Sequence, residues 1–339
     1  MEERTGAREL LRRVLDGGAW TSWDVPVAGP PWPDPAYERD LAAARERSGC
    51  DEAVVTGAGE LGGRRVGFAV SEFRFLAGSI GTAAAGRIVA AVERATAERL
   101  PLLAAPCSGG TRMQEGTAAF VQMARIAAAV MAHRAAGLPY LVYLRHPTTG
   151  GVFASWGSLG HVTAAEPGAL IGFLGPRVYE GMYGEPFPAG VQVAENLAAK
   201  GLVDVVAGTG DLATIASRAL DVLCARPPAA PVPARRPTAV PGGPVRDSAV
   251  RDSSVRDSSV RDSSVWDSSV WDSIVRSRRR DRPGVRELLR HGASRVTPLA
   301  GTGDGEAAPG LLLALARFGN APCVLAGQDR RVRWTGRAL

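Results

Sequence analysis

The chain has 339 residues, 45% hydrophobic and 22% charged, with a formal net charge of +6. Those proportions suit a folded domain with room for one large core and part of a second, and they exclude a disordered or collagen-like chain. No apolar run approaches the ~18 residues of a membrane span, and Met1-Glu2-Glu3-Arg4 leads into a charged helix rather than an apolar signal region, so a cytoplasmic protein without a membrane partner is expected.

Thr5 to Leu15 has helical spacing, with Thr5 as the candidate cap and Gly17-Gly18 as the stop. Trp20 to Pro35, rich in Pro and Trp, reads as an extended arm. Its Trp20, Trp23 and Trp32 are expected to pack on the body, with a partner subunit as the other acceptor. Tyr37 to Ser48 is a charged amphipathic helix. Ala53 to Thr56 and Arg64 to Ser71, joined by the glycine-rich stretch Gly57 to Gly63, read as a hairpin. Three strand-turn-helix units follow. Phe73 to Gly81 opens the helical run Thr82 to Arg99. The apolar Leu102 to Ala105 leads through Pro106 to Gly116 into a helix over Gln114 to Arg134, which places Met113, Phe120, Met123 and Val130 on a core-facing side and stops at Gly137. The apolar Tyr140 to Leu144 leads into His146 to Ser155. A helix from Pro176 carrying Tyr179 and Tyr183, a helix over Gln192 to Lys200, a strand over Gly201 to Val206 and a helix over Asp211 to Cys224 complete the unit.

Residues 226 to 282 change character. A Pro- and Ala-rich stretch precedes a strict five-residue repeat: Arg246-Asp247-Ser248-Ala249-Val250, three copies of Arg-Asp-Ser-Ser-Val, and two copies starting at Trp266 and Trp271. One Val per repeat cannot build a core, so this is expected to be a disordered linker, and deleting the six repeats is expected to leave the thermal midpoint almost unchanged. Arg276, Arg278, Arg279, Arg280 and Arg282 concentrate positive charge at its end. Such a tract reads as a solvated tail, and no nucleic-acid partner is expected. In residues 283 to 339, Gly284 to Arg290 echoes Gly6 to Arg12. Cys50, Cys107, Cys224 and Cys323 form no C-x-x-C pair and the four histidines show no metal spacing, so no metal is expected. Cys107 reads as a small buried thiol at a strand end, and His146 as a loop residue with a ligand contact as the alternative.

Each of the three turns carries closely spaced glycines: Gly78-Ser79-Ile80-Gly81, Ser108-Gly109-Gly110-Thr111-Arg112 and Gly150-Gly151. Glycine lets backbone approach a ligand closely, and the free N–H groups of a helix start attract negative charge. A single Gly-Gly pair is as readily a tight turn as a ligand site. Three of them, each opening a helix after an apolar run, favour a ligand site facing a phosphate or an oxyanion. Gly110 and Gly151 are both expected at helix starts.

Ser108-Gly109-Gly110-Thr111-Arg112-Met113-Gln114-Glu115-Gly116 resembles the SGGARMQEG signature of biotin-dependent carboxyltransferases. Pro147-Thr148-Thr149-Gly150-Gly151-Val152 matches that family's PTTGGV. Ala164 to Phe173 with Gly175-Pro176-Arg177-Val178 is similar to its AEPxALIGFxGPRV. The resemblance covers roughly residues 5 to 225 and is strongest to the acetyl-CoA carboxylase carboxyltransferase β subunit. It implies an α/β, crotonase-like (ClpP/crotonase) spiral of repeated ββα units. Residues 1–225 would be the β-like body, and 283–339 the truncated start of an α-like half, because Ala326 to Arg330 is similar to the opening of fused α subunits and no α-half Gly-Gly motif follows. Residues 283–339 are then expected to lack strands to pack against.

The resemblance also implies the chemistry. A carboxyl group moves from biotin, carried in trans on a carrier protein, to the α-carbon of acetyl-CoA or another acyl-CoA, giving malonyl-CoA for fatty-acid or polyketide precursors. Gly150 and Gly151 would form the oxyanion hole for the thioester oxygen. Gly78, Ser79, Gly81, Ser108, Gly109, Gly110, Thr111 and Arg112 would line the acyl-CoA pocket. The implied partners are biotin carboxyl carrier protein, biotin carboxylase, and an α-type carboxyltransferase subunit or a second copy in a homodimer. The biotin-side hole belongs to the α half, so the chain alone is expected to bind acyl-CoA with little turnover. Three rivals remain: a malonyl-thioester decarboxylase subunit, a hydratase or isomerase using Glu115 as its acid, and an acyl-CoA-binding subunit without turnover. For Glu115, stabilising the start of its own helix is the plainer reading.

Overall fold

The computed structural model describes residues 5–27, 29, 34–225, 284–300 and 310–329. The linker and repeats of residues 226–282, Trp32, and the stretches Gly301 to Glu306 and Val332 to Leu339 lie outside the described residues. The elements up to the first glycine turn are α1 (Ala7–Val14), β1 (Trp20–Ser22), α2 (Pro35–Ser48), β2 (Val54–Leu61) and β3 (Arg64–Ser71). Then come α3 (Thr82–Ala97), β4 (Leu102–Ala105), α4 (Gly116–Ala135), β5 (Tyr140–Leu144), β6 (Thr148–Thr149), β7 (Val162–Ala165) and β8 (Ile171–Gly172). The body closes with α5 (Pro176–Tyr183), α6 (Ala194–Ala199), β9 (Val205–Val206) and α7 (Thr209–Leu223). Beyond the linker are α8 (Val285–Gly292), β10 (Ser294–Leu299), β11 (Leu311–Phe318) and β12 (Ala321–Gln328).

Seven strands form the central sheet in the order β1-β2-β3-β4-β5-β7-β9. The first three pair antiparallel, and β3 to β9 run parallel. The central strands β4 and β5 are buried on both faces, as parallel strands covered by helices must be. Alternation at period two divides them between two cores. Leu102, Ala104, Tyr140 and Val142 pack with α3 and α4, whereas Leu103, Ala105, Leu141 and Tyr143 pack with α1 and α7. A third, small cluster joins Tyr37, Leu41 and Ala44 of α2 to Ala53 and Phe75.

Several elements depart from the sequence reading. The stretch Gly57 to Leu61 is strand, not turn, and only Gly62-Gly63 turns the hairpin. The glycines serve close packing, since a Cβ on Gly59 would stand 2.8 Å from Leu15 Cδ1 and one on Gly57 2.7 Å from the Phe68 ring. The arm is not wholly irregular, because β1 pairs with Gly57–Gly59 of β2. The cap of α1 is Gly6 rather than Thr5. On α4, Met123 and Val130 are buried as expected, but Met113 is 85% and Phe120 64% exposed. Helical periodicity identifies an apolar stripe without saying whether the chain's own core covers it.

Residues beyond the linker do find packing partners in their described parts. The antiparallel sheet β10-β11-β12 lies against α7. Leu315 is buried in the α1/α7 core, Asp204 Oδ1 accepts from Ala300 N at 2.8 Å, and Arg295 pairs with Asp221 at 3.0 Å. Among the described residues, no helix is long and apolar enough to cross a membrane.

Candidate active site

The glycine turns all leave the carboxyl ends of adjacent parallel strands. Residues 72–81 follow β3, 106–115 follow β4, 145–150 follow β5 and 166–175 follow β7. In open α/β sheets that edge is where ligands bind. Here the turns are also bonded to one another. Gly109 N donates to Ala77 O at 3.0 Å, Ile80 N to Gly110 O at 3.0 Å and Arg112 N to Ile80 O at 3.0 Å. Ser108 N donates to Pro147 O at 2.6 Å and Thr149 N to Ser108 O at 3.1 Å. Thr148 N donates to Leu170 O and Gly150 N to Gly172 O, both at 2.9 Å. The result is a short staircase of backbone segments with little freedom to move separately.

Positive φ appears where the staircase turns back: Gly78 at 64°, Gly110 at 120° and Gly150 at 64°. An L side chain is strained in that region. Gly151 differs from Gly150. It is the first helical residue after the third turn, its φ is not positive, and the helix widens to π geometry over Phe153–Gly157. Ala154 N already donates to Gly150 O at 3.2 Å, which fixes the helix start. The Gly151 N–H therefore belongs to the donors a helix leaves unsatisfied, and it has no acceptor among the described residues. Gly150, expected as the companion donor, is committed to Gly172 O. Gly110 is not at a helix start either. A short 3₁₀ turn, Met113–Glu115, intervenes, and α4 opens at Gly116, where φ is 52°.

The wall behind Gly151 is close. A Cβ there would stand 3.0 Å from Met123 Cγ and 3.3 Å from Thr111 Oγ1. Ser155 Oγ donates to Met123 Sδ at 3.6 Å. Thr111 N–H also lacks an acceptor among the described residues. Gly109, Thr111, Ser79, Gly150 and Gly151 retain exposed surface, whereas Gly78, Gly81, Ser108, Gly110 and Arg112 are buried. Ser108 Oγ accepts from Gly110 N at 3.0 Å, so its role is to shape the turn.

Arg112 was expected at the acyl-CoA pocket, but it is 1% exposed and spends its donors inside the protein. It forms a two-pronged pair with Glu52, donates to Ser79 O at 2.8 Å and to Tyr37 Oη at 3.1 Å, and lies over the Phe75 ring. Burial alone would lower its pKa, and Glu52 more than restores it, so the guanidinium stays charged. Glu115 is likewise engaged. It caps α3 rather than its own helix, accepting from Thr82 N at 2.6 Å, Thr82 Oγ1 at 2.7 Å and Tyr37 Oη at 2.5 Å. Burial alone would raise its pKa, but the bonds from Thr82 and Tyr37 and the charge of Arg112 outweigh it and hold the carboxyl below the usual range. Burial and then Glu115 push the Tyr37 phenol up. This buried network ties α2, the first two turns and the start of α3 together. Sequence reading gave no site role to Tyr37, Glu52, Met123 or Ser155. Glu52 and Tyr37 reach Arg112 across 60 and 75 residues, and no local spacing announces such pairs.

Met113 and Phe173 within these turns, and Phe120 and Val121 early in α4, are exposed apolar side chains. Among the described residues, no group of three or more His, Cys, Asp or Glu side chains is placed to hold a metal ion. Cys107 is buried, and its thiol donates to His146 O at 3.1 Å.

A family model described as "Carboxyl transferase domain" matches residues 34–333. A probable biotin-dependent acyl-coenzyme A carboxylase beta3 subunit of Mycobacterium bovis is 57% identical over 324 residues, covering 96% of this chain and 60% of that relative. The chain thus spans less than two thirds of that relative's length. An acetyl-coenzyme A carboxylase carboxyl transferase subunit beta of Opitutus terrae is 45% identical over 205 residues, 59% of this chain and 70% of that protein. Among solved structures, transcarboxylase 12S with methylmalonyl-coenzyme A bound superposes with a TM-score of 0.66 at 20% identity, over 95% of this chain and 56% of that one. That likeness speaks to the α/β fold, while the two closer sequences and the family match settle descent. The chain belongs to the carboxyl transferase domain family, with the β subunits of biotin-dependent acyl-CoA carboxylases.

Proposed function

We propose that this chain is the acyl-CoA-binding part of a cytoplasmic carboxyltransferase, one that moves a carboxyl group to the α-carbon of acetyl-CoA or a related acyl-CoA. The observation that carries this reading is the Gly151 N–H, without an acceptor among the described residues and held at a helix start among glycine turns that are bonded to one another. When the α-proton leaves a thioester, negative charge gathers on the carbonyl oxygen. A donor already fixed in place stabilises that charge without reorganising, typically by ~3 kcal/mol. Gly150 contributes the left-handed turn that presents Gly151. Gly109, Thr111 and Ser79 offer the accessible backbone along which the thioester would lie, and Arg112 positions the first two turns from behind. Biotin, carried in trans on a carrier protein, would supply the carboxyl group and take up the α-proton at its ring nitrogen.

The residues present fit that division of labour. Glu115 is consumed by Thr82, Tyr37 and Arg112, which argues against a hydratase or isomerase using it as an acid. The exposed apolar rim of Met113, Phe120 and Phe173 suits a covering α-type half or partner subunit, which would bring the biotin side of the site. We also read the bonded succession of turns as successive coils of a crotonase-like spiral. Residues 1–225 would be its acyl-CoA body, and 283–339 the start of an α-like half, whose described strands lie against α7. The test is a titration with acetyl-CoA and propionyl-CoA, paired with a turnover assay that adds biotinylated carrier, biotin carboxylase and an α-type subunit. Saturable acyl-CoA binding with carboxylated product supports the reading. Binding without product points to a subunit without turnover, and release of CO₂ from malonyl-CoA alone points to the decarboxylase. No acyl-CoA binding removes the assignment.

A further inference from the structure

His146 is a half-buried imidazole at the end of β5, five residues before Gly151, and the reading above gives it no part. Its Nδ1 lies 3.0 Å from Leu170 N. A backbone N–H can only donate, so Nδ1 carries the lone pair and the neutral ring holds its proton on Nε2. The same residue's N–H donates to Glu166 Oε2 at 2.9 Å. His146 therefore grips the 166–170 segment at two points. That segment and β8, which it runs into, are the template for the third turn, because Leu170 O accepts from Thr148 N and Gly172 O accepts from Gly150 N, both at 2.9 Å. Leu170 is bonded through its N–H to His146 and through its carbonyl to Thr148, only two residues further along the same turn. Such a closed loop fixes the register of β6 against β8, and with it the direction in which the Gly151 N–H points.

We propose that His146 is a positioning residue for the Gly151 donor, acting through the acceptor it offers to Leu170. The proposal rests on the enolate-stabilising role assigned to Gly151. An error of a fraction of an ångström in a preorganised donor is felt in the transition state more than in binding, so the effect belongs in kcat. The test compares His146→Leu, which keeps bulk and loses the acceptor, with His146→Asn, whose Oδ1 can take the place of Nδ1. Each is assayed in the assembled system with carrier, biotin carboxylase and α-type subunit, alongside the melting midpoint and amide exchange at Leu170. The expected result for His146→Leu is a ~10- to 100-fold lower kcat with KM within about threefold, and faster exchange at Leu170 in a folded protein. His146→Asn should return kcat to within about fivefold of the parent and restore protection. Undiminished kcat in His146→Leu overturns the proposal, and so do equal losses in both variants with Leu170 still protected in His146→Asn. Leu170 exchange reports the clamp independently of turnover. If the parent chain shows no turnover in the assembled system, the reading of Gly151 fails and the positioning role with it, whatever the exchange shows.

Discussion

Replacing Gly151 by Val separates the electrostatic role of this position from its structural one. The backbone tolerates the change, because Gly151 is the first residue of a helix and its φ is not positive. A Cβ there would meet Met123 Cγ at 3.0 Å and Thr111 Oγ1 at 3.3 Å. Met123 is an unbranched thioether side chain that can yield by a few tenths of an ångström, so the fold should survive with a loss of about 1–3 kcal/mol. The two methyl groups of Val cannot both share the Met123 side, and one must stand in front of the N–H. On the proposed role, the thioester oxygen then loses its donor. Removal of one such donor lowers kcat by about 10²–10³, equivalent to about 2.7–4 kcal/mol. Gly150→Ala makes the contrasting control, since its φ of 64° penalises any side chain while its N–H is already bonded to Gly172 O. It should lower stability by about 1–2 kcal/mol. The assay is malonyl-CoA formation from acetyl-CoA in the assembled system, with urea unfolding to measure stability. A soluble, folded Gly151→Val protein with undiminished kcat refutes the donor role.

Three further outcomes follow from the packing. Glu52→Ala leaves the Arg112 guanidinium buried without its main counter-charge and should cost about 3–5 kcal/mol in chemical unfolding, and an unchanged midpoint would show that the pair is dispensable. His133 is buried, and desolvation depresses its pKa below 6.5, so the unfolded chain binds its proton more readily than the folded one. Its contribution is thus present above pH 6.5 and is lost as pH falls through the depressed value, so His133→Gln should flatten the stability profile on that acid side. Leu315→Ala should loosen β10-β11-β12 from α7 at a cost of about 2–5 kcal/mol, seen as faster amide exchange in those strands with the central sheet still protected.

The strand-turn-helix order was legible in the sequence because apolar runs, glycine pairs and alanine-rich helices each leave a local mark. Gly151 at a helix start, the β2-β3 hairpin and the strands β4 and β5 all follow from such marks. What was not legible depends on contacts far apart in the chain. The resemblance put Arg112 at the acyl-CoA pocket, and nothing local shows that Glu52 and Tyr37, 60 and 75 residues away, take up its donors. Gly150 looked like a second donor because nothing local shows that Gly172 O will take its N–H. Gly57 and Gly59 looked like a turn, although they are strand glycines thinned to admit Leu15 and Phe68. Met113 and Phe120 looked like core, since periodicity cannot distinguish a stripe buried by the chain's own fold from one left for a partner.

The central claim is that the Gly151 N–H receives the thioester oxygen, and a crystal structure with a stable acyl-CoA analogue measures it directly. The account predicts CoA lying along the carboxyl edge of β3, β4 and β5, with the thioester oxygen about 2.7–3.1 Å from Gly151 N. A thioester bound elsewhere, or an oxygen more than about 4 Å from that nitrogen while another group donates to it, contradicts the account.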